Sequence, residues 1–189
     1  MTDWLRTRDT SFTFGGTKVQ QVPSALPWLE RLCVSLGVKS VLELGTGWGA
    51  TTCLFGMLFP GRVTTCSLKD LRGKHAQDLH ERLGIEFISA DLYQPETVDM
   101  LWTVEDEKRG DEPMLLFCDG GNKHKDFELY TPHTRVGDLI VCHDTYREFH
   151  PGKLGAPEVA AAQRLERILQ IELDVDNSWL CAYVRGGAA

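Results

Sequence analysis

The sequence predicts an α/β fold, in which a mostly parallel sheet carries helices on both faces. Short apolar strands alternate with amphipathic helical segments along most of the 189 residues. A turn with three glycines, Gly45, Gly47 and Gly49, joins the first of these strands to a helix. A strand that runs through such a turn into a helix forms a nucleotide-sized crevice in open α/β sheets. We therefore expect a Rossmann-like sheet with a ligand site at this turn.

Five strands and six helices are predicted in alternation. The strands span 40–44, 62–68, 85–89, 114–118 and 138–142. The helices span 23–37, 49–59, 73–83, 95–107, 123–130 and 157–171. The last helix is predicted because one side of it is apolar, at Val159, Ala162, Leu165, Ile168 and Leu169. In the expected strand order 3-2-1-4-5, the fourth and fifth strands are neighbours, so their carboxyl ends meet beside the first strand.

The chain closes with a predicted hairpin. Two further strands, 172–175 and 179–184, flank the turn residues Asp176-Asn177-Ser178. This hairpin brings the sheet to seven strands and places an antiparallel strand near its edge. The length suits one domain with its own core, so we predict an N-terminal lead-in over 1–22 and a single domain over 23–189.

Composition excludes several classes of function. Hydrophobic residues make up 42% of the chain and charged residues 25%, as in ordinary globular proteins. The net charge of −7 argues against nucleic acid as a partner. No apolar run reaches the length of a membrane span, and the polar start has no signal-peptide core. The six cysteines show no paired spacing, which favours a reduced, cytoplasmic protein.

Glu43 is an acid two residues before the first glycine. A carboxylate there favours a cationic or hydroxyl-bearing ligand over a pyrophosphate. The segment Gly45-Thr46-Gly47-Trp48-Gly49-Ala50 also satisfies the GxGxxA pattern of dinucleotide enzymes. That alternative lacks the acid expected at the end of the second strand, about twenty residues further on, and it gives Glu43 no role.

With these residues the chain resembles the class I S-adenosylmethionine-dependent methyltransferases. Glu43-Leu-Gly45-Thr46-Gly47-Trp-Gly49 is similar to the first motif of that family, whose glycines approach the methionine part of the cofactor. The resemblance places Asp91 beside the adenine. The family usually ends its second strand with an acid for the ribose hydroxyls, and this chain has Ser67 there, with Asp70 as the nearest acid.

Two further segments resemble the metal-dependent O-methyltransferases, both the catechol type and the group related to cephalosporin hydroxylase and rhamnosyl O-methyltransferases. They are Cys118–His124 and Gly137–Thr145, and the segment from Gly16 to Pro23 looks like the lead-in of the latter group. The resemblance implies a magnesium or other divalent cation held by Asp119, His143 and Asp144, with Asp119 also close to the cofactor. His143 stands where those families place an acid.

The resemblance also suggests the general base that would deprotonate an acceptor hydroxyl. A lysine follows the fourth-strand acid in the catechol type, so Lys123 is preferred, followed by His143 and then His124. Structural roles remain open: Asp119 could cap the next helix, and His143 could be a satisfied core histidine.

The sequence hypothesis is a small O-methyltransferase that acts on a hydroxyl of a small molecule or a sugar. So short a chain has no large lid insertions, so its site would be open or completed by a second subunit of a homo-oligomer. Two alternatives remain. One is a non-catalytic relic of the fold, suggested by the missing ribose acid and by His143; the other is an NAD(P)-dependent oxidoreductase.

Overall fold

The computed structural model describes residues 12–14, 17–19 and 21–187. It begins with a small antiparallel sheet, in which β1 (Phe12–Phe14) pairs with β2 (Thr17–Val19). This hairpin belongs to the predicted lead-in, of which residues 1–11, 15–16 and 20 lie outside the described residues. In the described part of the chain, β2 packs against the helix that follows the glycine turn.

A seven-stranded sheet forms the core. Its strands are β3 (Ser40–Leu44), β4 (Val63–Ser67), β5 (Glu86–Ser89), β6 (Met114–Cys118), β7 (Leu139–Cys142), β8 (Leu165–Ile168) and β9 (Cys181–Arg185). The order is β5-β4-β3-β6-β7-β9-β8. The first five strands are parallel, and β9 is antiparallel to both of its neighbours. The predicted order of the parallel strands and the antiparallel end of the sheet are therefore confirmed.

Helices cover both faces of the sheet. They are α1 (Ala25–Ser35), α2 (Ala50–Leu58), α3 (Lys74–Leu83), α4 (Pro95–Arg109), α5 (Lys123–Tyr130), α6 (Ala156–Ala162) and α7 (Gln170–Val175). One apolar cluster joins α1, α2 and α7 to one face, and a second joins α4, α5 and α6 to the other. Strands buried on both faces explain the continuous apolar runs in β6 and β7. Among the described residues, none of the helices is both long enough and apolar enough to cross a bilayer.

The prediction of one helix over 157–171 is wrong. Helix α6 ends at Ala162, and the chain continues as strand β8. Arg164 and Leu169 have φ angles of 51° and 52°, in the left-handed region that breaks a regular helix. The predicted strand over 172–175 is also wrong, since Gln170–Val175 is helix α7. The hairpin partner of β9 is β8, whose pairing along the sheet edge overrides the helical apolar period.

Candidate active site

The glycine turn brings two strand ends into close contact. Gly45 has a φ of +96°, and a Cβ built on it would lie 2.3 Å from the carbonyl oxygen of Asp119. A side chain at this position would therefore push β3 away from the end of β6. Gly49 has a φ of +84° and precedes α2, and its carbonyl oxygen lies 2.9 Å from His80 Nε2. These contacts explain why the turn requires glycine at both positions.

Glu43 lies beneath the turn, on β3, and is only 1% exposed. Its Oε2 accepts hydrogen bonds from Thr52 Oγ1 at 2.5 Å and from Thr65 Oγ1 at 2.6 Å. Burial raises the pKa of Glu43 to about 8, although the two hydroxyl donors act in the opposite direction. The site therefore holds a carboxyl group whose charge is sensitive to what binds beside it.

The residues at the ends of β6 and β7 converge on one point. His143 Nδ1 lies 3.2 Å from Asp119 Oδ1 and 3.3 Å from Asp144 Oδ2. Lys123 Nζ lies 3.5 Å from the same two oxygens and 2.7 Å from Glu148 Oε2. Asp144 has a φ of +55°, a left-handed conformation that acidic and amide residues tolerate better than most. The prediction that the strand-end acids lie close together is met by this geometry.

Two cationic side chains thus share the space between two carboxylates. Burial alone would lower the pKa of His143, but the facing acids Asp119 and Asp144 outweigh burial and raise it to about 9. The same acids, together with Glu148, raise the pKa of Lys123 above its usual value despite its burial. Without another cation, both His143 and Lys123 hold their protons at neutral pH.

These residues fit a divalent cation. One donor atom from each of Asp119, His143 and Asp144 lies within 4.8 Å of the others. The second ring nitrogen of His143, Nε2, is buried and accepts or donates no hydrogen bond within 12–14, 17–19 and 21–187. Two carboxylates suit magnesium, whereas the imidazole makes the set equally suitable for manganese, iron or zinc. The donor set supports a cation site without selecting the metal.

Gln21 is a site residue that the sequence analysis did not single out. It is 1% exposed, and its Nε2 donates a hydrogen bond of 2.6 Å to Asp119 Oδ2. Its other terminal atom, Oε1, is buried and has no hydrogen-bond partner among the residues that the structure describes. Gln21 lies in the segment from Gly16 to Pro23, which resembles a methyltransferase lead-in. That resemblance is the sequence signal that pointed to this part of the chain. That similarity carried no information about which side chain turns inward.

One cavity of about 620 Å³ joins the glycine turn to the acid pair. It is lined by most of the predicted site residues: Glu43, Gly45, Thr46, Gly47, Gly49, Ser67, Asp119, Lys123, His143 and Asp144. Ser67 Oγ also accepts a hydrogen bond of 2.8 Å from the Thr46 backbone N–H, which ties the end of β4 to the turn. The cavity therefore combines a nucleotide-type turn with a set of residues that fits a cation.

Three predicted residues lie outside the lining of this cavity. Asp70 accepts two hydrogen bonds of 2.9 Å from the guanidinium of Arg72, one from Nε to its Oδ1 and one from Nη2 to its Oδ2. Asp91 accepts hydrogen bonds from the Tyr93 backbone N–H and the Gln94 side chain at the start of α4. His124 lines a neighbouring cavity, and its Nε2 accepts a hydrogen bond from the backbone N–H of His150. The roles predicted for these three remain predictions.

The fold resembles those of solved methyltransferase structures. No protein-family model matches the chain, and no curated protein matches its sequence. CmcI in its apo form matches with a TM-score of 0.66 and 15% identity, over 98% of this chain and 84% of that one. CmcI with Mg and S-adenosylmethionine matches with a TM-score of 0.65 and 16% identity, over 90% and 76%.

An O-methyltransferase from Bacillus cereus in complex with S-adenosylhomocysteine matches with a TM-score of 0.56 and 19% identity. The match covers 86% of this chain and 81% of that one. At identities this low, the matches show a shared fold alone. The roles of the site residues have to be inferred from their own geometry. The chain has the Rossmann-like fold of the S-adenosylmethionine-dependent methyltransferases, as its glycine motif predicts.

Proposed function

We propose that this protein is an enzyme that transfers a methyl group from S-adenosylmethionine to a hydroxyl oxygen of a small molecule or a sugar, assisted by a divalent cation. The observation that carries the proposal is the shared cavity, which sets the glycine turn and Glu43 beside Asp119, His143 and Asp144. The structure of CmcI with Mg and S-adenosylmethionine has the same fold and supports the combination of cofactor and cation.

In this proposal the glycine turn binds the cofactor. The bare backbone of Gly45 and Gly47 allows the methionine part to lie against the chain. Glu43 lies beneath it, where a bound cationic group would lower its raised pKa and favour its charged form. Ser67, at the end of β4, offers a hydroxyl group to the ribose where related enzymes have an acid. A neutral hydroxyl is a weaker partner than a carboxylate, so we expect the methionine end to contribute much of the affinity.

Methyl transfer is a displacement at carbon. The acceptor oxygen attacks the methyl carbon while the carbon–sulfur bond breaks, and S-adenosylhomocysteine leaves with the bonding electrons. The protein contributes mainly alignment, which supplies several kcal/mol of rate enhancement in well-oriented reactions. When bound, a divalent cation would neutralise Asp119 and Asp144 and favour ionisation of the acceptor hydroxyl.

The proton of the acceptor hydroxyl passes to a base of the site. Lys123 and His143 both line the cavity, and Lys123 is the preferred base because its Nζ faces both acids. Each of these groups holds its own proton while the acids are uncompensated, since the pKa of each is raised. Lys123 therefore becomes a base only after another positive charge neutralises the carboxylates, and His143 can take that role only where the neutralising cation is not bound to its own ring.

Isothermal titration with S-adenosylhomocysteine tests the first part of the proposal. Micromolar binding is expected, and the absence of binding at millimolar ligand would contradict it. A dinucleotide titration run in parallel would reveal an oxidoreductase. Methyl transfer to a panel of catechols and sugars, with and without EDTA, tests the cation. Activity that survives EDTA would remove the cation from the proposal and leave base catalysis alone.

Asp119→Asn separates the enzyme from a non-catalytic relic. The substitution keeps the shape of the side chain and removes one charge of the cation centre, so methyl transfer should fall by at least about 100-fold. Unchanged activity in this variant would mean that the acid pair has no part in the reaction.

A further inference from the structure

The N-terminal hairpin contributes two side chains to the cavity. Lys18 is an exposed residue on β2, and Gln21 follows the same strand and is buried. Both line the cavity that contains Glu43 and the glycine turn. The hairpin stands outside the seven-stranded sheet, so its contribution is additional to the strand-end residues that the proposed function uses.

Gln21 has an acceptor atom that no described residue pairs with. Its Nε2 donates to Asp119 Oδ2, and this fixes the amide with Oε1 on the other side. Oε1 is buried and has no hydrogen-bond partner in the described part of the chain, a state that buried amide oxygens rarely adopt. With the carboxylate of Asp119 alongside, this part of the cavity is rich in acceptors and suits a positively charged donor.

Lys18 supplies the complementary charge. The ion pairs of the described residues do not include Lys18. Two other lysines line the cavity. Lys123 is occupied by three carboxylates, and Lys69 lies just beyond the end of β4, where the proposed function places the ribose. The glycine turn offers backbone groups but no charge of its own. Among the described residues, Lys18 is therefore the lysine on the hairpin side that has no carboxylate partner and can meet a ligand carboxylate.

We propose that Lys18 and Gln21 bind the amino-acid end of S-adenosylmethionine, Lys18 at its carboxylate and Gln21 Oε1 at its ammonium. The inference rests on the proposed function and extends it, because it makes the N-terminal hairpin part of the cofactor site. Gln21 would link the two halves of the cavity, since the amide that meets the ammonium also orients Asp119. The ligand fits this chemistry because it carries one group of each charge on the same carbon.

Three ligands that differ only at the amino-acid end test the inference by titration calorimetry. S-adenosylhomocysteine has both charged groups, S-adenosyl-3-thiopropylamine keeps the ammonium without the carboxylate, and 5′-methylthioadenosine lacks both. Lys18→Met should weaken binding of the first ligand about tenfold or more and leave the other two unchanged. Gln21→Met should weaken binding of the first two by a similar factor and leave 5′-methylthioadenosine unchanged.

Lys39→Met is the matched control, because Lys39 is exposed just before β3, at the opposite end of the strand from the turn. It should bind all three ligands like the wild type. Equal losses for all three ligands in both hairpin variants, or no loss in either, would overturn the inference. Lys18 is exposed, so its variant keeps the test valid if Gln21→Met folds poorly. Failure of the wild-type protein to bind any of the three would instead contradict the proposed function.

Discussion

Thr65 donates a hydrogen bond of 2.6 Å to Glu43 Oε2 across neighbouring strands, where the two residues are direct register partners. The bond satisfies one oxygen of an acid that is almost completely buried. It does not remove the cost of burying a charge, because the pKa of Glu43 is still raised to about 8. The pairing therefore predicts how the stability of the fold depends on pH.

Glu43→Gln should gain stability relative to the wild type as pH rises. Above a pH of about 4.5 the unfolded chain releases the Glu43 proton, whereas the folded protein retains it up to a pH of about 8. The contribution of Glu43 to the free energy of unfolding is thus fully present below a pH of about 4.5 and is lost as the pH rises to about 8. The difference between variant and wild type should grow by at most about 1.4 kcal/mol per pH unit between pH 6 and 8.

Urea unfolding at several pH values, in EDTA, measures this difference. Asp126→Asn is a useful companion variant, since burial raises the pKa of Asp126 to about 7 and gives a similar trend that levels off earlier. A difference between Glu43→Gln and the wild type that stays constant from pH 6 to 8 would contradict the pKa inferred for Glu43.

Gly45→Ala should destabilise the protein by about 2 kcal/mol or more and abolish binding of S-adenosylhomocysteine. The new Cβ would meet the backbone of Asp119 at 2.3 Å, in a φ region that alanine avoids. Gly152→Ala is the control, because a Cβ there meets nothing within 4 Å. Thermal unfolding and calorimetric titration report the two effects. Equal stability of the two variants would mean that β3 and β6 separate easily.

His143→Glu should bind magnesium more tightly than the wild type, by about tenfold or more. The substitution exchanges an imidazole for a carboxylate, which is the harder ligand that magnesium prefers. It also places three acids together, so the metal-free variant should be less stable than the wild type and should regain stability on addition of the cation.

Melting temperatures with and without magnesium, together with calorimetric titration, test this prediction. His143→Gln is the control for loss of the imidazole without a new charge. The cation centre would have to lie elsewhere if magnesium had the same affinity for His143→Glu and for the control.

Lys123→Met should lower the rate of methyl transfer by about 100-fold or more and change the affinity for S-adenosylhomocysteine only slightly. The reason is that Lys123 faces the acid pair where the acceptor would react, at 3.5 Å from Asp119 and from Asp144. Lys125→Met removes a charge from the exposed side of the same helix and should retain activity. The rate of methyl transfer at saturating cofactor measures this effect. Equal rates for the two variants would exclude Lys123 as the base.

The central part of the fold could be predicted because its signals are local. The strand before Gly45 and the apolar run of β6 each show their structure within a few residues, and parallel order then places Asp119 and Asp144 at one edge. The positions of Glu43, Lys123 and His143 in the same cavity follow from that order. Each of these residues lies on or just after a strand that can be recognised in the sequence, and the topology of the sheet brings the ends of those strands together.

The remaining features depend on contacts between distant residues. The break at Arg164 occurs because β9 requires an edge partner, and nothing in the apolar period around it signals that requirement. Gln21 reaches Asp119 across 98 positions of sequence. Asp70 is the acid nearest to the end of the second predicted strand, but Arg72, two residues away, donates hydrogen bonds to both of its carboxylate oxygens. An ion pair between residues so close in sequence leaves no mark on the apolar periodicity and is therefore not predicted from it.

The position of β9 has a consequence for the order of assembly during synthesis. Strand β8 is made before β9 but pairs only with it, and β9 separates β8 from β7. While residues 181–185 of a nascent chain are still inside the ribosome, β7 is therefore an unpaired edge strand. His143 and Asp144 directly follow that strand. The part of the cavity around these two residues therefore gains its final support only when β9 has been made and has paired with β7 and β8.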